Sequence, residues 1–267
     1  MLAFIGHTSV RSNAELSLRR SKCSFAFALL FVRHQAKSSE LSNRRIVTYI
    51  LRKPFEIDVG FKVNAVQILE AIELTNSVLG DLPSSLYRSL DYKTTSAIIG
   101  SVFCDGLASK VECIVNPIEK GHPDLIPREG INCSEEQLRK YPTGLEIKTT
   151  VGNIEVGANL RAGAPRVAKL EGMTWQAHHR EVEELLGLIW DFVPSELAFN
   201  YPAITGVFYA NDLTENDWGK ISGTTGRNTK VTGLRASGKA KMGAGWVVLF
   251  ENKQYLKTYS RLLHFKL

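Results

Sequence analysis

Hydrophobic residues recur at helical spacing in two segments of the chain. In residues 64–79 the apolar positions fall near every third or fourth residue: Val66, Leu69, Ile72 and Val78. The side chain of Asn64 can cap the start of this helix, and Gly80 can end it. A second helix is predicted over residues 95–111 by the same spacing.

Short apolar segments in the rest of the chain predict strands, at residues 113–115, 125–126, 145–150, 185–193, 203–209 and 246–250. Residues 185–193 (LLGLIWDFV) and 203–209 (AITGVFY) are almost wholly apolar, as buried strands are. Helices followed by a cluster of strands predict a compact mixed α/β core of the α+β class. Residues 152–172 and 219–245 are rich in glycine, and their composition predicts loops.

The length and composition suit a folded protein with a sizeable core. The chain has 267 residues, of which 44% are hydrophobic and 22% charged, and these are ordinary values for globular proteins. We expect a basic N-terminal extension over residues 1–45 and a folded domain over residues 46–267. The apolar run at residues 23–32 is about half the length of a membrane span, and no small-residue cleavage site follows it. An organelle transit peptide is an alternative interpretation of the extension.

The net charge of +6 overstates how basic the folded part is. Residues 1–53 contain ten Lys or Arg against two acids, so this segment alone carries more positive charge than the whole chain. The remainder is therefore slightly acidic. The global charge is no sign of a DNA-binding body, and only local clusters can indicate an anionic partner.

The four cysteines, Cys23, Cys104, Cys113 and Cys133, show no Cys-x-x-Cys spacing, which argues against a zinc ribbon or finger. So few cysteines in a chain of this length suit a reducing compartment. We expect a cytoplasmic protein without a membrane span.

The segment that carries chemistry is His122-Pro123-Asp124, followed after 21 residues by Glu146-Ile147-Lys148. In a strand, residues two apart project to the same face. Glu146 and Lys148 would therefore be neighbours, with Ile147 pointing into the core. If the segment after Asp124 pairs beside this strand, three charged side chains converge.

Two carboxylates and a lysine are what metal-dependent hydrolysis of a phosphodiester needs. Carboxylate oxygens bind Mg²⁺, which keeps several of its waters. The metal lowers the pKa of a bound water and neutralises charge on the phosphate. Lys148 can orient or deprotonate the attacking water, or hold the phosphate as a point charge.

This pattern resembles the PD-(D/E)XK nuclease superfamily, and within it the type II restriction endonucleases. The resemblance is carried by Pro123, Asp124, Glu146 and Lys148, flanked by the hydrophobic residues Leu125, Ile126, Leu145 and Ile147. It implies a restriction-endonuclease-like core, a central mixed β-sheet flanked by helices. It also implies that Asp124, Glu146 and the backbone carbonyl of Ile147 bind Mg²⁺ and that Lys148 is catalytic. An upstream acid often joins such sites, and Glu70 and Glu73 both remain candidates.

The resemblance further implies a bacterial cytoplasmic enzyme that cleaves double-stranded DNA at a specific sequence, leaving a 5′-phosphate and a 3′-hydroxyl. A homodimer is expected because two-fold protein symmetry matches a palindromic site.

Two polar segments are candidates for DNA contact. Between Asp217 and Glu251 there is no acid but there are six basic residues, set among Gly, Ser, Thr and Asn that can approach phosphates. The candidates here are Lys220, Arg227, Asn228, Lys230, Arg235, Lys239 and Lys241. In the second segment they are Gln176, His178, His179 and Arg180. Residues 233–240 resemble a phosphate-binding P-loop, but Ala240 stands where Ser or Thr should hold Mg²⁺, and an NTPase is rejected.

Three alternative functions remain open. The first is a nuclease of the same superfamily that acts in repair or recombination. The second is a DNA-binding module without catalysis. The third is a metallohydrolase that uses His122, His178 and His179, although adjacent histidines on an extended chain point to opposite faces.

Overall fold

The computed structural model describes residues 48–152, 175–178, 180–193, 201–222 and 230–265. The expected extension, residues 1–45, lies outside the described residues, as do most of the predicted loop 152–172 and part of the loop 219–245. The candidate DNA contacts His179, Arg227 and Asn228 lie outside them too. Within the described residues, no helix combines the length and the hydrophobicity that crossing a bilayer requires.

The described residues form eleven strands and six α-helices. The strands are β1 (Tyr49–Leu51), β2 (Glu56–Asp58), β3 (Lys62–Asn64), β4 (Cys113–Val115), β5 (Leu125–Pro127), β6 (Glu146–Val151), β7 (Gln176–Ala177), β8 (Leu185–Val193), β9 (Tyr201–Ala210), β10 (Thr232–Gly233) and β11 (Trp246–Phe250). The helices are α1 (Ala65–Asp81), α2 (Ser84–Ser89), α3 (Tyr92–Ala108), α4 (Glu135–Arg139), α5 (Ala236–Ala244) and α6 (Lys253–Leu263). Single 3₁₀ turns lie at Arg128–Asn132 and Glu215–Asp217.

Side-chain caps set the starts of the two long helices. Asn64 caps α1 as predicted, accepting hydrogen bonds from the backbone of Val66 and Gln67, and the helix runs through Gly80 to Asp81. Helix α3 begins three residues before its predicted start because Asp91 accepts a hydrogen bond from the backbone of Thr94 at 2.7 Å. It ends at Ala108 rather than at residue 111.

Within the described residues, five strands form a mixed central sheet in the order β1-β11-β9-β8-β6. The pair β6–β8 is parallel, and the other neighbours are antiparallel. The sheet is flanked by helices, which agrees with the expected α+β class. Strand β6 lies at one edge of this sheet, and β1 at the other.

The two faces of the sheet bury different cores. On the first, which we call the α1/α3 face, Leu186, Leu188 and Trp190 of β8 pack with residues of α1 and α3. On the second, the α5/α6 face, Leu185 and Ile189 of the same strand pack with residues of α5 and α6 and of β7. This alternation along β8 tells which way each side chain of its partner β6 projects.

The prediction of a loop over residues 219–245 is wrong for its second half, which contains β10 and α5. Glycine suggested flexibility there, but in α5 it permits close packing. A Cβ on Gly243 would lie 2.0 Å from the carbonyl oxygen of Leu263, and one on Gly238 would lie 3.0 Å from that of Asp217. The missing side chains let α5 approach α6 and the 3₁₀ turn before it.

Candidate active site

Asp124 is held at the start of β5 by backbone contacts on two sides. Its carbonyl accepts a hydrogen bond from the backbone of Asn116 at 2.8 Å. The next residue, Leu125, exchanges backbone hydrogen bonds of 3.1 and 2.9 Å with Leu145, so β5 lies against the start of β6. Asp124 Oδ2 accepts a hydrogen bond from the backbone of Ile147 at 2.8 Å, which brings its carboxylate to β6.

Glu146 and Lys148 project from β6 onto the α5/α6 face. They lie opposite Leu185 and Gly187 of β8, and Leu185 belongs to the α5/α6 core. Ile147, between them, is buried in the core of the α1/α3 face, as predicted. Its next neighbour on that face, Thr149, donates a hydrogen bond to the carbonyl of Ser96 in α3 at 3.0 Å, which anchors the strand from behind.

The structure brings the three charged side chains together. Lys148 Nζ lies 2.5 Å from Glu146 Oε1 and 3.6 Å from Asp124 Oδ2. Glu146 is almost fully buried, whereas the side chain of Asp124 is 33% exposed. The cluster is therefore open to solvent on the Asp124 side and closed behind Glu146.

His122 is a fourth member of the site that the motif did not include. Its Nδ1 lies 3.3 Å from both carboxylate oxygens of Glu146. The sequence placed His122 only in the alternative histidine metal site, since nothing local to it points to Glu146. The ring centroid of His122 lies 6.3 Å from that of His178. The third histidine of that set, His179, lies outside the described residues.

The charges in the cluster shift each other's pKa values. Burial and the neighbouring Glu146 raise the pKa of Asp124, against the effect of Lys148. Burial alone would also raise the pKa of Glu146, but His122 and Lys148 outweigh it and hold that pKa at about 2. The pKa of Lys148 is raised, because the two carboxylates overcome the effect of burial. The lysine is thus an ammonium ion facing two acids.

The donor set suits a hard divalent cation. Glu146 Oε1 is buried and, among the described residues, has no hydrogen-bond donor in good geometry, although Lys148 Nζ lies close to it. No group of three or more His, Cys, Asp or Glu side chains in the described part of the chain is arranged to hold a metal. A cation here would take two carboxylates and complete its shell with backbone oxygen and water, as Mg²⁺ does and Zn²⁺ rarely does.

The two candidate upstream acids are placed elsewhere. Glu70 of α1 pairs with Lys110 at 3.2 Å. Burial is the main cause that raises the pKa of Tyr49 in β1, and the charge of Glu73 adds to it. Among the described residues neither carboxylate contacts Asp124, Glu146 or Lys148, so neither is added to the site.

The candidate DNA contacts divide into residues with partners and residues without. Lys241 pairs with Asp217 and Asp212, Arg180 with Glu215, and Arg235 donates to the carbonyl of Asn216. In contrast, Lys220, Lys230 and Lys239 form no ion pair among the described residues. Gln176 and His178 are exposed. These described candidates lie on or close to β7, β10 and α5. The three elements cover the α5/α6 face, to which Glu146 and Lys148 point.

A comparison of this chain with known protein families, curated proteins and solved structures finds no match. The functional proposal rests on the geometry of the site.

Proposed function

We propose that this protein is a Mg²⁺-dependent endonuclease that hydrolyses phosphodiester bonds of double-stranded DNA. The observation that carries the proposal is the meeting of Asp124, Glu146 and Lys148, which come from two segments of the chain and lie within 3.6 Å of the lysine amine. A mixed sheet flanked by helices is also what the restriction-endonuclease-like core requires, and Glu146 and Lys148 lie on its edge strand β6. Asp124, which precedes β5, is held beside them by the backbone of Ile147.

In the reaction, a water attacks the phosphorus opposite the leaving 3′-oxygen and loses a proton to solvent. The bond from phosphorus to the 3′-oxygen breaks, and that oxygen takes a proton from solvent. The products are a 5′-phosphate and a 3′-hydroxyl. The Lys148 ammonium would hold the attacking oxygen and a phosphate oxygen, so that charge developing on the phosphate meets a fixed cation. Hydrogen bonding from His122 orients the carboxylate of Glu146.

Asp124, Glu146 and the backbone carbonyl of Ile147 would hold Mg²⁺. When bound, Mg²⁺ supplies a water of lowered pKa and neutralises charge on the phosphate. The partly exposed side of Asp124 is where both solvent and a phosphate can enter the site.

We further propose that the enzyme is a type II restriction endonuclease of the bacterial cytoplasm that acts as a homodimer. A two-fold dimer would place one site on each strand of a palindromic sequence. The layer of β7, β10 and α5 beside the site, with Lys220, Lys230 and Lys239, would face the DNA.

The test is incubation of the purified protein with phage DNA, with Mg²⁺ or with EDTA, followed by sequencing of the fragment ends. We expect discrete fragments with 5′-phosphates that require Mg²⁺. Lys148→Ala should lose about 10²-fold or more of the rate, as removal of one charge-stabilising donor does, while DNA binding is retained. Lys93→Ala is the matched control, because Asp91-Tyr92-Lys93 is another acid-x-Lys sequence but starts a helix on the opposite face of the sheet.

The other outcomes distinguish the alternatives. Mg²⁺-dependent cleavage without discrete fragments would indicate a nuclease of repair or recombination. Binding without cleavage, unchanged by Lys148→Ala, would indicate a non-catalytic module. A requirement for zinc, lost in His122→Ala and His178→Ala, would indicate the histidine-dependent hydrolase.

A further inference from the structure

Helix α6 presents a row of positive charges that have no ion-pair partner among the described residues. Lys253, Lys257 and Arg261 are spaced four residues apart, which places them on one face of the helix. All three side chains are exposed, and none forms an ion pair among the described residues. We call these three residues the α6 row.

The local sequence does nothing to neutralise this row. Residues 252–267 contain no Asp or Glu. Like charges four residues apart repel one another on a helix surface, so the arrangement costs the helix stability, and no ion pair with another described residue offsets that cost. A cationic face that is unpaired along its whole length is complementary to a polyanion.

The opposite face of α6 is fixed to the protein, so the row is presented on a rigid support. Tyr255, Tyr259 and Leu263 are buried. The hydroxyl of Tyr255 donates to Asp191 of β8 at 3.1 Å, and that of Tyr259 is hydrogen-bonded to Thr205 of β9. Only the outward side chains would lose freedom when a ligand binds.

The row lies over the same face of the sheet as the candidate active site. The buried residues of α6 belong to the α5/α6 core, and Glu146 and Lys148 project onto that face. A Cβ on Gly152, which follows β6, would lie 3.5 Å from the Tyr259 hydroxyl. Lys148 is four residues before Gly152, or about 13 Å along the strand.

We infer that the α6 row is a contact surface for the phosphate backbone of duplex DNA, beside the site that cleaves it. Lys253 and Arg261 are eight residues apart, which corresponds to about 12 Å of helical rise. About 12 Å of duplex carries roughly seven phosphates. One duplex lying across the α5/α6 face can thus reach both Lys148 and the row. This inference rests on the proposed DNA cleavage for its choice of polyanion.

The test removes the charges and follows the salt dependence of binding. The variant is K253Q/K257Q/R261Q, and glutamine keeps the helix propensity of lysine and arginine. The control is K62Q/K93Q/K110Q, which removes three exposed lysines from β3, from α3 and from just after α3. The full chain is titrated with a 30-base-pair duplex of arbitrary sequence at several salt concentrations without Mg²⁺. Circular dichroism and thermal melting establish that each variant is folded.

We expect the slope of log K against log salt to fall by about 2.7 in the α6 variant, and binding at about 0.1 M salt to weaken tenfold or more. The control and the charge-preserving variant K253R/K257R should keep the original slope. In a cleavage assay, the KM of the α6 variant should rise while its kcat stays the same, because the row does not touch the reacting phosphate.

An unchanged slope in the α6 variant, or an equal fall in the control, would overturn the inference and leave the nuclease proposal intact. The opposite result, a selective fall in slope in a protein that never cleaves DNA, would support the row as a DNA contact and refute the nuclease proposal. Absence of duplex binding by the unaltered protein, or stronger binding to anionic lipid vesicles, would overturn the inference as well.

Discussion

Two regions of this protein each combine two acids with one lysine, and they differ in how completely the carboxylates are satisfied. The first is the site of Asp124, Glu146 and Lys148 at β6. The second is the cluster of Asp212, Asp217 and Lys241, where Lys241 Nζ lies 2.8 Å from Asp217 Oδ2 and 3.5 Å from Asp212 Oδ2. The two sets of distances are similar. Residue types and distances alone would treat the two regions alike.

The hydrogen bonds distinguish them. Asp217 Oδ2 accepts from the backbone and the hydroxyl of Thr214, at 2.8 and 3.1 Å, as well as from Lys241. Burial would raise the pKa of Asp217, but these bonds outweigh it and hold that pKa at about 2. In the β6 site the pKa of Asp124 is raised instead, by burial and by the charge of Glu146, and its Oδ2 accepts a backbone hydrogen bond from Ile147. A saturated cluster fixes structure, whereas an unsaturated one can accept a further cation.

The largest expected effect separates the regions by activity. Glu146→Gln should lower Mg²⁺-dependent cleavage about 10³-fold, since a bound metal contributes several kcal/mol to the transition state and each 1.36 kcal/mol is a factor of ten. Asp217→Asn should leave the rate per folded molecule within about twofold to threefold. Single-turnover cleavage rates measure both. Equal losses in the two variants would contradict the distinction.

Stability should separate the two regions less than activity does. Asp217→Asn should lower the free energy of unfolding by about 1–3 kcal/mol, because it removes a buried charged acceptor of several hydrogen bonds. Glu146→Gln should lower it by a similar amount, because a pKa of about 2 means that His122 and Lys148 favour the charged carboxylate by more than Asp124 opposes it. Urea unfolding at pH 7 compares the two variants with the unaltered protein. An unchanged free energy of unfolding in Asp217→Asn would contradict the structural role of its cluster.

The stability difference between Asp217→Asn and the unaltered protein should depend on pH in a defined window. The pKa of Asp217 is about 2 in the folded protein, below the value of about 3.9 of an unperturbed aspartate. A depressed folded pKa gives stability that is complete above the unfolded pKa and is lost as the pH falls through the folded one. The difference should therefore be constant above about pH 5 and shrink between about pH 4 and pH 2, as urea midpoints would show.

The smallest effects concern one glycine behind each region. Gly100 of α3 faces Thr149 of β6, and a Cβ there would meet it at an ordinary 3.5 Å, so Gly100→Ala should stabilise by about 0.5–1 kcal/mol through helix propensity. Gly243→Ala should destabilise by about 1–3 kcal/mol, because its Cβ would lie 2.0 Å from the Leu263 carbonyl oxygen. Thermal melts of the two variants should move in opposite directions.

Much of the fold follows from local pattern. The helix predicted at residues 64–79 and the strands at 185–193 and 246–250 lie where spacing and hydrophobicity placed them. Helix α5 was missed because its sequence, ASGKAKMGA, has the composition of a loop. It is helical because α6 and the 3₁₀ turn pack closely against its glycines, which is a tertiary effect that no local pattern records.

The candidate site was partly predictable for the same reason. Glu146 and Lys148 share a face by the two-residue period of a strand, and Ile147 faces the core as that period requires. The contact of His122 with Glu146 was not predictable, since it depends on how β5 pairs beside β6. The sequence left the choice between Glu70 and Glu73 as an upstream acid open, and in the structure Glu70 pairs with Lys110.

The sequence by itself determined which residues could do chemistry and which faces of its helices and strands are apolar, because these depend on neighbours two to four positions away. Tertiary structure decided which charged groups meet and which are already satisfied. Lys241 and Lys148 are alike as residues, but Lys241 faces Asp217, which also accepts hydrogen bonds from Thr214, whereas Lys148 faces two carboxylates whose pKa values are shifted in opposite directions. That difference arises only when segments distant along the chain pack together, since the free energy of a buried charge is set by the partners that surround it.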